Sequence, residues 1–395
     1  MIANGDLLVT SQFDKTVREY QGTTGSFAGV AASGGALGDP LGLAIGLDGN
    51  LLVSDGQTNQ VKRYASASGT FIDVFASTHL SGPTGMTIHN GVLYVANSNS
   101  PQGVQSFDAT TGVNNGQFLP SLSNPSPRDV KVNPANNRLY VLYYNAATVE
   151  TFDLTTKSSF GLLMPVGSPL GSGGLFTPSA MAFGPDGNLY ISGGTFGGHL
   201  GVRRYNPTTG AFIDLFANTG SDLYAPIGIA FGPDNNLYVS TGHANVMRFN
   251  YPTGAFMGFF VPDGGGGLTA PFHLTFATGP SSALTYTLHQ DCLHNVEDHA
   301  MRWQIEGGKV LENGAHVANY SSVKRVSCGT TEQNTAQLWV TLFFLGAKPP
   351  ENMTLHGAHD FGSGGEIGSV SAASSAFAAN IGKQFKRVGN TLTIG

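Results

Sequence analysis

Histidine is the residue type in this 395-residue chain whose chemistry could be catalytic or metal-binding. His273 stands where two similar segments, Pro40-Leu-Gly42 and Pro83-Thr-Gly85, carry glycine. That position begins a strand that we expect to line a central channel, where an imidazole could act as a general base. A His–Glu pair would need a nearby glutamate, but Glu19 and Glu150, the only glutamates before residue 280, fall on other strands. Catalysis at His273 is therefore an alternative to a binding role.

A metal site is a second chemical alternative. His356, His359 and Asp360 would place two imidazoles and a carboxylate on one loop, a ligand set that suits zinc or another divalent cation. No spacing among the histidines of this part of the chain matches a recognised metal motif. We therefore expect surface or hydrogen-bonded histidines and no cofactor, with a divalent cation as the alternative.

Cys292 and Cys328 are the only cysteines, and both follow residue 280. An even number of cysteines in an exported domain favours a disulfide between them. Two free, buried thiols are the alternative.

The element that must position His273 is a sequence phrase that occurs six times. In its clearest copy, Gly42–Ile45, Leu51–Ser54, Val61–Tyr64 and Phe71–Phe75 are four short apolar segments, and Asp48-Gly49 between the first two is a strong hairpin signal. Four strands that recur roughly every 40–50 residues indicate a blade of a β-propeller. The phrase begins near six prolines: Pro40, Pro83, Pro127, Pro178, Pro226 and Pro271.

The chain ends of the repeat predict how the ring closes. Residues 1–31 supply the second to fourth strands of a blade without the first, and residues 271–276 supply a first strand without its partners. Joining the two leaves no unpaired strand at the seam. The sequence therefore predicts an all-β fold with a six-bladed β-propeller over residues 1–279.

The segment Pro40–Asp55, followed by Asn59–Tyr64, resembles the NHL repeat, and the wider class includes streptogramin lyases and gluconolactonase-like propellers. The resemblance covers residues 1–279 and implies the six-bladed fold. It implies no single activity, because such propellers include lyases, lactonases, RNA-binding modules and secreted proteins. A gluconolactonase-like metal site would need an inward glutamate on an early blade, and no glutamate here fits that position.

Residues 280–395 lack the repeat and resemble no family that we recognise. Their apolar segments predict a β-sandwich-like domain, in which Gln337–Leu345 is a central strand buried on both faces. The spacing of Phe377, Ile381 and Phe385 predicts one helix between residues 371 and 388.

Composition narrows the class of partner. Charged residues are 11% of the chain, glycines number 55 and the net charge is −6, so we expect a neutral polar surface like that of secreted proteins. Lys and Arg are spread around the ring, which argues against nucleic acid. We find no secretory signal, lipidation motif or transmembrane run. Because a blade strand begins near residue 6, we expect that a leader was removed or omitted.

These observations favour a secreted or cell-surface structural or binding protein, with the propeller as a rigid scaffold and residues 280–395 for attachment or self-assembly. We expect a homo-oligomer or polymer, with a protein or glycan as a further partner. The alternatives are a lyase or lactonase with a divalent metal in the channel, and a carbohydrate- or peptide-binding propeller. The latter would use the third-strand aromatic rings, which inter-blade packing explains more simply: Tyr20, Tyr64, Phe107, Phe152, Tyr205 and Phe249.

Overall fold

The computed structural model describes residues 2–100, 102–119, 126–133, 135–164, 173–194, 200–218 and 223–277, together with the backbone of strands between residues 284 and 394. The chain divides into two compact units, Met1–Ala277 and Thr278–Gly395. The first unit contains the repeats.

Alternating apolar and small polar residues in the first unit form antiparallel strands, because one face of each strand packs on the next sheet. In chain order the strands are β1 (Leu7–Ser11), β2 (Thr16–Tyr20), β3 (Phe27–Ala32), β4 (Pro40–Ile45), β5 (Leu51–Asp55), β6 (Gln60–Tyr64), β7 (Phe71–Ala76), β8 (Pro83–His89), β9 (Val92–Asn97), β10 (Gly103–Asp108), β11 (Asn114–Leu119), β12 (Pro127–Asn133), β13 (Arg138–Tyr143), β14 (Thr148–Asp153), β15 (Ser159–Leu162), β16 (Met181–Phe183), β17 (Leu189–Gly193), β18 (Gly201–Tyr205), β19 (Phe212–Ala217), β20 (Pro226–Phe231), β21 (Leu237–Thr241), β22 (Asn245–Phe249), β23 (Phe256–Val261) and β24 (Pro271–Phe276). A short 3-10 turn spans Gly265–Gly267.

These strands form six four-stranded sheets, the blades of a propeller. Blade one combines β24 with β1–β3, and blades two to six are β4–β7, β8–β11, β12–β15, β16–β19 and β20–β23. The first strand of each blade contacts the first strands of both neighbouring blades, so these six innermost strands surround a central channel. The predicted six-bladed, all-β fold is confirmed.

The seam closes as predicted. Strand β24 pairs antiparallel with β1, with Leu7 opposite Phe276 and Val9 opposite Leu274. The two ends of the repeat region are therefore held in one sheet, which removes the exposed edge that an open ring would have.

Among the described residues, six hydrophobic clusters fill the spaces between blades, one for each adjacent pair. Between blades one and two, for example, Leu8 and Val17 pack with Leu43, Val53 and Tyr64. The third-strand aromatic rings are buried in these clusters, which confirms inter-blade packing and makes them unavailable for stacking on a ligand: Tyr20, Tyr64, Phe107, Phe152, Tyr205 and Phe249.

A bulge near the start of the innermost strand is stabilised by a buried hydroxyl from the second strand. In blade one the register shifts between Val9 and Ser11, and the Thr10 hydroxyl accepts from the amides of Phe272 and His273 at 3.1 Å and 2.8 Å. Ser54 and Ser240 accept from first-strand amides in blades two and six, and Ser192 accepts from the amide of Ala180, which directly precedes β16 of blade five. The hydroxyl satisfies amides that the interrupted ladder leaves unpaired.

The second unit contains strands β25 (Leu284–Asp291), β26 (Lys309–Glu312), β27 (Ala315–Arg325), β28 (Thr335–Phe344), β29 (Thr354–His356), β30 (Ile367–Ala372), β31 (Phe385–Val388) and β32 (Thr391–Ile394). They form one sheet in the order β30-β25-β28-β27-β26-β29-β32-β31. How its faces pack lies outside the described residues, so the sandwich stays a prediction. The predicted helix between residues 371 and 388 is wrong at both ends, where β30 and β31 lie; its middle falls outside the described residues.

Candidate functional site

Each repeat begins with a proline, and the second residue after this proline distinguishes two blades from the other four. Glycine or alanine occupies this position in four blades, whereas blade four carries Asp129 and blade one carries His273. Blades one and four lie three positions apart in the ring, so these two residues come from opposite sides of the channel. Sequence reasoning found His273 but missed Asp129, although the same comparison of phrases would have shown both.

In the other four blades, the small residue at this position is explained by the close approach of neighbouring innermost strands. A Cβ atom on Gly85 would collide with the side chain of Asp129, and one on Gly228 would lie 2.7 Å from the carbonyl oxygen of Phe272. A side chain larger than that of alanine at this position needs space, and only blades one and four provide it.

His273 is buried, with 5% of its surface exposed. Neither ring nitrogen has a hydrogen-bond partner among the described residues. Burial lowers the pKa of the imidazole to about 4, the nearby Lys131 lowers it further, and Asp129 partly offsets both effects. The imidazole is therefore neutral at physiological pH.

Asp129 connects blade four to blade five. Its buried carboxylate accepts hydrogen bonds from the amide of Val130 at 2.9 Å, from the amide of Met181 on the next blade at 2.9 Å, and from the Lys131 ammonium at 2.8 Å. Three donors, one of them charged, therefore converge on this carboxylate. The carboxylate is hydrogen-bonded to these three groups, and Lys131 is its ion-pair partner.

Arg128 lies at the mouth where the innermost strands begin. Its guanidinium carbon is 4.3 Å from the ring centre of Phe272 on the opposite blade and 5.2 Å from that of Tyr144. Burial lowers the pKa of this guanidinium, and electrostatic interactions with Tyr144, Asp39 and Asp129 act in the other direction. Asp39 is itself bonded to the Gln12 amide nitrogen at 2.8 Å.

The structure does not bring the two propeller glutamates into the channel. Glu19 on β2 accepts a hydrogen bond from the amide of Ala3 at 3.0 Å, and Glu150 on β14 accepts one from the Ser159 hydroxyl at 2.6 Å. Both lie on third strands, as expected, away from His273. In the described part of the propeller, no group of three His, Cys, Asp or Glu side chains is arranged to hold a metal ion.

The remaining sequence candidates fall on the second unit. His356 ends strand β29, and nothing is described of its side chain. His359, Asp360, Cys292 and Cys328 lie outside the described residues. The metal and disulfide hypotheses at these positions stay predictions.

The rim of the propeller is the other candidate surface. The outermost strand ends each four-stranded sheet, and its first residues point apolar side chains into solvent. Phe259 on β23 is 51% exposed. Exposed large apolar side chains on or beside the outermost strands are Phe27, Val30, Phe71, Ile72, Val74, Val113, Phe160, Leu162, Phe212, Ile213, Phe256, Met257 and Phe259.

Comparisons with known proteins identify the fold but no family. No protein-family model and no curated protein matches the chain, so the resemblance to NHL repeats stays a prediction. A chain from a crystal structure of a nidogen/laminin complex is similar, with a TM-score of 0.54 and 15% identity over 69% of this chain and 98% of that chain. A chain of the hydrazine synthase of Kuenenia stuttgartiensis gives a TM-score of 0.44 and 18% identity over 62% of this chain and 73% of that chain. Within the part of the chain that the structure describes, no helix has the length and apolar character to cross a membrane.

Proposed function

We propose that this protein is an extracellular or cell-surface interaction scaffold, and that copies of the chain associate through the propeller rim. The observation that carries the proposal is the row of exposed apolar side chains along unpaired outermost strands. An edge strand with exposed apolar residues can pair with a strand of another chain, which gives both backbone hydrogen bonds and apolar burial.

The rim is not uniform around the ring. In blades two and five, the ion pairs Arg63–Asp73 and Arg204–Asp214 place charge on the outermost strands. In the other four blades, glycine occupies the position of those aspartates: Gly29 pairs with Glu19, Gly116 with Ser106, Gly161 with Thr151 and Gly258 with Arg248.

Charged side chains on an edge strand discourage pairing with other chains. Of the four blades whose outermost strands lack this aspartate, blades three and four expose three large apolar side chains among the described residues. The adjacent blades six and one expose five, on the outermost strands β23 and β3. We call the exposed residues of these two strands the neutral rim: Phe256, Met257, Phe259, Phe27 and Val30. It is the part of the rim best suited to self-association.

Two further observations support an extracellular scaffold. The charged fraction of 11% leaves a surface made largely of neutral polar residues, as in many secreted proteins. The similar fold from a nidogen/laminin complex belongs to a protein that takes part in a protein–protein complex.

Sedimentation velocity over a wide concentration range tests the proposal. We expect the wild-type chain to form dimers or larger species as concentration rises, and Phe259→Asp to shift this association to at least tenfold higher concentration. Val113→Asp is the matched control, because Val113 is 62% exposed beside the outermost strand of blade three, outside the neutral rim. A wild-type chain that stays monomeric at high concentration, or equal effects of the two variants, would refute self-association through this surface.

The enzymatic alternative stays a prediction. A lyase or lactonase would use His273 with a divalent metal, and stoichiometric metal that is lost in His273→Ala would support it. The glycan-binding alternative no longer has the third-strand rings as platforms, because those rings are buried.

A further inference from the structure

Among the residues that the structure describes, Arg128 is a cation without an anionic partner. Its guanidinium carries five N–H donors, yet among the described residues it donates no hydrogen bond and forms no ion pair, and its Nε atom is buried without a partner. The residue as a whole is only partly buried, and of its three guanidinium nitrogens only Nε is counted among the buried atoms without a partner in the described residues.

Two aromatic rings hold this guanidinium in place. Phe272 approaches it from the opposite blade at 4.3 Å and Tyr144 at 5.2 Å, measured from Cζ to each ring centre. Contact with ring faces orients the planar guanidinium but leaves its edge donors unused. A positioned, partly desolvated fork of this kind binds a carboxylate with two parallel hydrogen bonds.

The other charged groups of the channel do not compete for an anion. Lys131 is bonded to Asp129 at 2.8 Å, and the buried imidazole of His273 is neutral. Asp39 and Asp129 lie close enough to affect Arg128 electrostatically without bonding to it. Two nearby carboxylates would repel a dianion more strongly than a monoanion, so the site suits a singly charged carboxylate better than phosphate.

We propose that the channel mouth at Arg128, Phe272 and Tyr144 is a binding site for a small monocarboxylate. The Arg128 guanidinium pairs with the carboxylate, and the two aromatic rings hold the guanidinium edge toward the ligand. The site uses none of the neutral-rim residues and does not depend on the scaffold proposal.

The test uses the full chain with sodium acetate, sodium benzoate, inorganic phosphate and sodium chloride at constant ionic strength. Isothermal titration calorimetry measures affinity, and the Nε–H resonance of Arg128 in protein labelled with ¹⁵N-arginine reports the site directly. We expect saturable one-to-one binding of a carboxylate, with a shift of this resonance, and at least tenfold weaker binding of phosphate.

Three variants separate the site from a general effect of charge. We expect Arg128→Gln to lose binding and Arg128→Lys, which keeps the charge but not the fork, to weaken it at least tenfold. Arg138→Gln is the matched control, because Arg138 also lies over an aromatic ring, Phe160 at 3.7 Å, but at the rim of the same blade.

Three results would overturn the proposal. The first is that neither carboxylate gives saturable binding or moves the Arg128 resonance. The second is that phosphate or chloride binds as well as the carboxylates. The third is that Arg138→Gln weakens binding as much as Arg128→Lys. If Arg128→Gln does not fold, the affinity of Arg128→Lys and the Arg128 Nε–H resonance of the wild-type chain still test the proposal.

Discussion

The Arg128 guanidinium lies 4.3 Å from the ring centre of Phe272, so that two innermost strands on opposite sides of the propeller are joined across the mouth of the channel. This contact depends on the strand β24 being seated in blade one, because Phe272 belongs to that strand. Closure of the ring and formation of the channel site are therefore coupled.

The stability of the seam between β24 and β1 should depend on the hydroxyl of Thr10. Thr10→Val keeps the side-chain volume but removes the acceptor for the buried amides of Phe272 and His273. Buried amides without a partner are costly, so we expect the free energy of unfolding to fall by about 1–3 kcal/mol. Urea denaturation measures the change, and Thr10→Ser, which keeps the hydroxyl, should lose less. Equal losses would show that the hydrogen bonds do not stabilise the seam.

The buried pair Asp55–Lys62 should produce an acid-dependent loss of stability. The two groups are 2.7 Å apart and buried. Burial alone would raise the pKa of Asp55, but the bond from Lys62 and the amides of Gly38 and Asp39 outweigh it and lower the pKa to about 2. Because the folded-state pKa is below that of the unfolded chain, stability is present above about pH 4 and is lost as pH falls toward 2.

We expect this loss to amount to about 2 kcal/mol, and Asp55→Asn to flatten the pH profile in this window. Lys62→Met, which leaves a buried carboxylate without its cation, should destabilise the fold by about 3–5 kcal/mol at neutral pH. Chemical denaturation at a series of pH values checks both. A profile of Asp55→Asn that matches the wild type between pH 4 and 2 would contradict the assignment.

His273 should lower stability on acidification as well, but in a higher pH window than Asp55. Its folded-state pKa of about 4 lies below that of an exposed histidine, since burial penalises the charged imidazolium. The unfolded chain therefore takes up a proton first, and stability falls as pH decreases from about 6.5 to 4, by roughly 2–3 kcal/mol. We expect His273→Phe to abolish this fall. An imidazole resonance that titrates near pH 6.5 in the folded protein would refute it.

The turn at Gly254 should not tolerate a side chain. Gly254 has φ = 71°, and a Cβ atom there would collide with the carbonyl oxygen of Phe216 on the neighbouring blade. We expect Gly254→Ala to lower the free energy of unfolding by more than about 2 kcal/mol. In blade four the equivalent position is Lys157, with φ = 61°, so Lys157→Gly is the reverse comparison and should change stability by less than about 1 kcal/mol. Thermal unfolding of both variants tests this.

The amino-acid sequence is enough to predict the number of blades, the closure at the seam and the place of His273 on an innermost strand. Each rests on a pattern within a few residues: apolar alternation makes a strand, Asp48-Gly49 makes a hairpin with φ = 78° at Gly49, and the repeated phrase aligns one blade with the next. The helix expected between residues 371 and 388 failed at its ends, where strands β30 and β31 form, because an apolar spacing over so few turns also fits strands.

The tertiary structure alone decided which side chains meet in the channel and which reach the rim. Arg128 and Phe272, or Asp129 and the amide of Met181, are far apart in the chain and belong to different blades, so no local pattern relates them. Their contact depends on the width of the channel, which the packing of all six inter-blade clusters sets together. The neutral rim stays exposed because its strands are the outermost of their sheets and face away from the channel.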